Sequence, residues 1–309
     1  MTAQGTHALE VLPLTWGVLI ISLLVTAIIS VLVVSGILLR RVPSGGPIPP
    51  VARTGSGMRW IYIGVGLSTI VLFGTAVWTM RVLAAVISPP AEPAFTVTVD
   101  GRQWWWRIRY HETRDTPEFI TANEIRIPVG VPVRIRLTST DVIHSFWVPA
   151  LSGKTDLIPG RINETWIEAT APGVYRGQCM EYCGWQHARM GFVVVAMEGA
   201  AFDAWRASQV LPASEPQNAA IAEGKRIVMT HCCACHTIRG TEAGGSAGPD
   251  LTHVASRLTI AAGTFVTDRT TLEYWIRHPQ RAKPGNRMVD PDLDLEATRL
   301  PAAYILKLR

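Results

Sequence analysis

Two long uncharged stretches shape the first third of the chain. Val11 to Leu39 holds no Asp, Glu, Lys or Arg, and Trp16 to Leu39 alone supplies 24 residues, enough at about 1.5 Å per residue to cross a hydrocarbon core about 30 Å thick. Trp60 to Met80 adds 21 uncharged residues, and the apolar pattern runs on past Arg81 through Val82 to Ile87, with Arg81 able to snorkel to the interface. Both stretches are predicted as spanning helices. A cleaved signal peptide is the alternative for the first, but no Lys or Arg precedes it, and it exceeds the apolar core of such peptides, about 7–15 residues. Between the spans stand Arg40, Arg41, Arg53 and Arg59 with no acid, which places that loop in the cytoplasm and both ends of the chain outside.

After the short stiff exit Pro89-Pro90-Ala91-Glu92-Pro93 the period changes to two. Phe95 to Val99, Glu124 to Ile127 and Val131 to Leu137 alternate apolar and polar positions with Pro and Gly between them, and the pattern ends after the run Phe192 to Ala196. About 100 residues of short strands parted by turn signals predict a Greek-key sandwich. Ala201 to Arg206 reads as a short helix, Leu211 to Gln217 as a polar linker, and Ala219 to Thr230 as the helix that opens a last domain. The chain thus divides into a membrane hairpin (1–90), a β-domain (91–199), a linker with a short helix (200–217) and a C-terminal domain (218–309).

Composition agrees with membrane segments: mean hydropathy is positive and only 17% of the 309 residues are charged. The net charge of +5 is spread thinly, without the basic blocks of nucleic-acid tails, so nucleic acid is excluded as a partner. All five Cys lie between Cys179 and Cys235, and all but Cys233 fall in metal or haem spacings. This is no disulfide scaffold. Cys233 reads as an incidental thiol.

The chemistry concentrates in Gly177 to Met190, where Cys179, Cys183, His187 and Met190 fall together. Thiolate, thioether and imidazole are ligands for copper rather than for hard cations, and a zinc site avoids Met. A single blue copper needs one Cys, so two thiolates suggest two bridged metals. The second imidazole then comes from elsewhere, His144 at a strand end being the best candidate. A disulfide between Cys179 and Cys183 is the plain alternative, but it leaves the offsets of His187 and Met190 unexplained. Further on, Cys232-Cys233-Ala234-Cys235-His236 is the attachment motif for c-type haem, with His236 as one axial ligand. Met288, in the Pro/Gly loop Lys283 to Met288, is the candidate second ligand, with His253 and His278 as rivals and Met229 too near the attachment turn.

His144-Ser145-Phe146-Trp147-Val148-Pro149, Gly153 to Arg161 and Gly177 to Met190 together resemble subunit II of haem-copper cytochrome c oxidases. Gly248-Pro249-Asp250-Leu251-Thr252 and Ala302 to Leu306 resemble class I cytochromes c, so the whole looks like the fused, caa3-like form. The resemblance implies a membrane α-hairpin, an all-β cupredoxin Greek-key barrel and an all-α class I cytochrome c domain. It implies a binuclear copper centre, CuA, bridged by Cys179 and Cys183, with His144 and His187 each on one copper, and Met190 and the Glu181 carbonyl as weak axial ligands. The run Gly101 to Trp106 resembles the aromatic patch through which family members receive electrons, Trp104 in the matching place, while Trp105 and Trp106 either share that surface or fill the core. Lys154, Asp156 and Arg161 would face the catalytic subunit, or else form a solvated loop. Glu181 would help bind magnesium at the subunit interface, an ion one carboxylate cannot complete.

One departure stands out: most family members carry a Glu at the start of the second span as a proton-channel mouth, whereas Met58-Arg59-Trp60-Ile61-Tyr62 has no acid. The expected function is to pass electrons from an external donor, such as a cytochrome c or the bc1 complex, through haem c and CuA to an oxygen-reducing subunit I. Other oxidase subunits are expected partners. The expected place is a bacterial inner membrane, with both termini and the metal domains on the periplasmic side. A CuA subunit of a nitric-oxide reductase and a membrane-tethered electron carrier are the alternative readings.

Overall fold

The computed structural model describes residues 3–39 and 56–309. It divides into two units, Leu9–Ser88 and the remainder, residues up to Ala8 together with Pro89–Arg309. The first consists of α1 (Thr6–Leu39) and α2 (Ser56–Ile87), both longer than the expected spans by a turn or so at their starts. Each is apolar on every face, as a helix must be when lipid replaces water around it. Thr15, Thr69 and Thr79 turn their hydroxyls back onto the carbonyls of Val11, Val65 and Thr75, so these polar groups need no water. The loop with Arg40, Arg41 and Arg53, on which the cytoplasmic assignment rests, lies outside the described residues.

The second unit begins with the sandwich. Its strands are β1 (Thr96–Arg102), β2 (Trp105–Tyr110), β3 (Phe119–Ala122), β4 (Glu124–Pro128), β5 (Val133–Ser139), β6 (His144–Trp147), β7 (Thr155–Leu157), β8 (Asn163–Ile167), β9 (Gly173–Cys179) and β10 (Gly191–Met197). One sheet runs β3-β2-β1-β5-β8 and the other β4-β10-β9-β6-β7, with β1–β5 and β4–β10 the parallel pairs. The alternation in β1, β2 and β5 sends Val97, Val99, Ile108, Tyr110, Ile135 and Leu137 inward to meet Ile125, Phe146, Phe192 and Val194 of the other sheet.

Two expectations change here. The helix placed with the linker is α3 (Gly199–Gln209), and it belongs to the sandwich: Phe202 stacks on Phe95 at 5.3 Å and Trp205 meets Tyr110 edge-on at 5.3 Å. An amphipathic helix beside an open apolar flank has no reason to stay in solvent. Likewise, the segment before the first span is not simply part of the hairpin. Gln4 donates its N–H to Ala150 O and accepts from Thr170 N–H, each at 2.8 Å, and His7 meets Trp166 edge-on at 3.8 Å.

Beyond the linker come α4 (Ala219–His231), α5 (Arg269–Arg277), α6 (Pro279–Ala282) and α7 (Leu295–Ile305). Asn218, Asp268 and Asp294 cap α4, α5 and α7 through their side chains. Where α4 crosses α7, Gly224 lies so close to Leu300 O that no Cβ fits, and the two backbones meet directly. A small hairpin, β11 (Thr259–Ile260) and β12 (Phe265–Val266), is an addition to the helical expectation. The linker is fastened to this domain, Ala213 N–H donating to Arg239 O at 2.9 Å. Arg126 donates to Ser256 O at 2.6 Å and Leu258 N–H to the Glu124 carboxylate at 2.7 Å, joining sandwich and cytochrome-like domain.

Trp106, named with the electron-receiving surface, is 0% exposed. It faces inward on β2, edge-on to Phe192 at 5.1 Å, so it cannot contact a partner. Strand alternation leaves Trp105 on the outer face, half-buried under Arg102. Trp106→Ala is expected to lower the stability of the sandwich by about 3–5 kcal/mol and Trp105→Ala by far less, measured as shifts of the chain's denaturant unfolding transition.

Candidate metal centre

Sheet register brings the distant donors together. β6 pairs with β9 so that Phe146 lies opposite Cys179, which puts His144, at the start of β6, beside the end of β9. Cys179 N–H donates to Met190 O at 3.0 Å, closing the loop between β9 and β10 and returning Met190 to the same place. His187 stands on a single 3-10 turn, His187–Arg189.

The sulfur of Cys179 is 3.8 Å from that of Cys183, 3.9 Å from His144 Nδ1 and 3.3 Å from Glu181 O. Cys183 is 3.6 Å from His187 Nδ1 and 3.8 Å from Met190 Sδ. Both cysteines are free thiols, buried with His144 and Met190. Three sulfur side chains, an imidazole on either flank and one carbonyl thus converge on one point, a donor set that fits copper. A hydrogen bond from Cys183 holds the Cys179 thiol well below its ordinary range, against burial and with help from His144. The same bond, with burial, pushes Cys183 up. A metal bound by both sulfurs displaces their protons.

Around these donors stand residues that sequence reasoning did not single out. Asp141 accepts from Gln103 N–H and Val142 N–H, each at 2.7 Å, and faces His144 Nε2 at 2.8 Å. Burial alone raises its pKa, but the bonds from His144, Gln103 and Val142 outweigh burial and hold it at about 2. A carboxylate only accepts, so His144 carries its proton on Nε2 and turns the Nδ1 lone pair toward the sulfurs. The signal was an acid three residues before a candidate ligand. Gly101 leaves room for the imidazole: a Cβ there would lie 2.7 Å from the His144 ring. The Cys183 carbonyl accepts from Gln103 Nε2 at 2.8 Å and from Trp104 Nε1 at 2.9 Å, tying the half-buried Trp104 to the loop that holds the thiols.

In the last domain Cys232 and Cys235 follow α4 as free thiols. His236 Nδ1 donates to Pro249 O at 2.7 Å. A carbonyl cannot donate, so Nε2 holds the lone pair, and burial lowers the pKa to keep the ring neutral. Two thiols and a neutral, oriented imidazole fit a covalent haem. Met288 is half-buried, its N–H donating to Asn286 Oδ1 at 2.7 Å and its carbonyl accepting from Gln280 Nε2 at 2.8 Å. The rivals have other work: His253 bonds Leu211 O in the linker at 3.0 Å, and His278 ends α5 with its ring on Tyr274.

Residues 117–197 match the family described as cytochrome c oxidase subunit II, periplasmic domain, and residues 221–309 the cytochrome c family. The cytochrome c oxidase subunit 2 of Alkalihalophilus pseudofirmus is 33% identical over 301 residues, spanning 94% of this chain and 86% of that protein. The chain belongs to the cytochrome c oxidase subunit 2 family. The subunit 2 of Bacillus sp. (strain PS3) is 32% identical over 228 residues, 69% of this chain and 62% of its own length. The solved periplasmic domain of subunit II of cytochrome oxidase from Bradyrhizobium japonicum is 34% identical, covering 38% of this chain and 95% of that one at a TM-score of 0.36.

Other expected site residues of this subunit 2 lie on the surface. Lys154 is exposed, 3.1 Å from Asp156 and 4.0 Å from the Glu181 carboxylate, and Arg161 is exposed in the following turn. Glu181 therefore points its side chain outward while its carbonyl faces the sulfurs. Asp141→Asn, which removes the charge that orients His144, is expected to weaken copper binding by about 10–100-fold, measured by chelator competition against a variant folded to the same extent.

Proposed function

We propose that Cys179 and Cys183 bridge two coppers in this subunit, through which electrons reach a haem-copper oxidase, with His144, His187, Met190 and the Glu181 carbonyl completing the site. Cys232 and Cys235 would carry the haem, between His236 and Met288. The observation that carries this reading is the buried convergence of His144, Cys179 and Cys183, whose donor atoms lie within 4.8 Å of one another. Bound, the copper pair and the haem supply one-electron carriers between the donor and the oxygen-reducing subunit.

What the chain itself does is hold, orient and keep dry. Asp141 fixes the His144 ring, Pro249 fixes His236, and the sandwich core shuts water away from the sulfurs. A site whose donors barely move between oxidation states wastes little energy on rearrangement, and burial with hydrogen bonds sets its potential. Trp104, bonded to the Cys183 carbonyl, is the aromatic group through which electrons would approach, with Trp105 beside it. The exposed rings of Tyr182 and Trp185 on the copper loop support contact with the catalytic subunit, beside Lys154, Asp156 and Arg161. Glu181 would lend one oxygen to a magnesium ion shared there, the other ligands coming from the partner. An external cytochrome c or bc1 complex would be the donor. The contacts of Gln4 with Ala150 and Thr170 support an N terminus on the same, periplasmic side as the sandwich.

Cys183→Ser is expected to abolish the mixed-valence copper signal in electron paramagnetic resonance and leave the haem spectrum intact; loss of both, or of neither, overturns the assignment. In Met288→Leu the haem is expected to turn high-spin or drop in potential, and an unchanged midpoint in a redox titration would give the axial role to another residue.

A further inference from the structure

Lys283 is 3% exposed, yet its ammonium donates to two backbone carbonyls, Trp104 O at 3.0 Å and Ala261 O at 3.2 Å. Burying a cation against carbonyls is costly. Burial, then the neighbouring Arg189, lower its pKa to about 7. The two acceptors belong to different bodies: Trp104 precedes β2 of the sandwich, and Ala261 begins the turn between β11 and β12 of the cytochrome domain.

The loop around Lys283 grips the copper face along its length. Ala282 O accepts from Arg189, Pro284 O accepts from Gln186 Nε2 at 2.7 Å, and Arg287 reaches to 4.0 Å from Asp141. The β11–β12 turn adds a second hold, Ala262 O accepting from Gly191 N–H at 2.9 Å. Gln186, Arg189 and Gly191 flank the copper candidates His187 and Met190, Asp141 orients His144, and Met288 follows Arg287. One side chain, that of Lys283, joins the two holds to each other and to Trp104.

We propose that Lys283 is a positioning residue that seats the cytochrome domain, with the loop carrying Met288, on the copper-ligand loop and on Trp104. The seat itself follows from these contacts, and only its electron-transfer consequence rests on the metal assignments above. If the side chain merely filled space, an apolar isostere would be neutral or stabilising.

The test is Lys283→Met in the full chain, carrying copper and haem. Hydrogen exchange at the Gly191 amide is expected to lose protection by about tenfold or more, while the Cys179 amide, bonded within the sandwich, keeps its own. After photoreduction of the haem, one electron leaves ferrous iron and reduces the copper pair by one equivalent; this transfer is expected to slow by about tenfold or more, with both midpoint potentials and both spectra unchanged. Lys283→Gln, too short to span both carbonyls, is expected to behave alike and answers the question if the methionine variant does not fold. Unchanged exchange at Gly191 overturns the proposal, as does a slowing that comes with altered spectra or potentials. If the unmutated chain itself shows no mixed-valence copper, the functional reading fails, and the exchange experiment still decides the role of Lys283.

Discussion

The outer unit depends on keeping two sulfurs side by side in a dry place without letting them join. Thiols in an oxidising compartment close into a disulfide when geometry allows. Here Cys179 is pinned at the end of β9 by its amide bond to Met190, and Cys183 is held from behind by two donors to its carbonyl, Gln103 and Trp104. Neither backbone is free to swing toward the other, and the 3.8 Å gap between the sulfurs suits an atom bonded to both. Burying two thiols side by side is costly, and a metal that takes both thiolates offsets that cost, since its binding free energy adds to that of folding.

From that constraint the rest of the sandwich follows. A donor set gathered from one loop would move with it; His144 instead stands on β6, the strand paired with β9, where the hydrogen-bond ladder fixes its position. Asp141 then fixes its rotation, and Gly101 on the opposite sheet gives it room. Trp106, fully buried between His144 and Phe192, supports the ring from the core side. The aromatic run thus splits its duties by strand alternation: one indole braces the site from within, while its neighbour Trp104 touches the ligand loop from without.

Much of this was legible in the sequence because the chemistry is local. Soft donors at fixed offsets in Gly177 to Met190 and the haem-attachment motif mark their residues within one short stretch, and uncharged runs mark the two long apolar helices. What was not legible is whatever depends on the third dimension. The sequence left open whether Trp105 and Trp106 share the surface or fill the core, since the phase is set by the pairing of β2 with β1, Arg102 opposite Trp105. The helix from Gly199 to Gln209 looked like part of a linker because its apolar face is short; its partners, Phe95, Tyr110 and Phe119, lie about a hundred residues earlier. Lys283 entered only as the start of the loop that carries Met288. Nothing in its neighbourhood along the chain reveals that its acceptors are two carbonyls from distant segments.

The junction between sandwich and cytochrome domain shows why fusing a haem domain to a copper domain differs from merely tethering it. A flexible tether the length of Leu211 to Gln217 would raise the local concentration to the order of millimolar and leave the haem to search for its orientation. This linker is instead bonded to the domain it leads to, through Ala213 to Arg239 and Leu211 to His253. Several holds across the junction run from side chains to backbone carbonyls, at Ala282, Pro284, Ser256 and Trp104. Carbonyl positions are set by the fold rather than by rotamers, so such bonds specify register as well as contact. An apolar interface of the same extent would hold the domains as firmly but let them slide. With the register fixed, the distance between the two metal sites becomes a property of the fold, and the rate of transfer between them is set by structure instead of by diffusion.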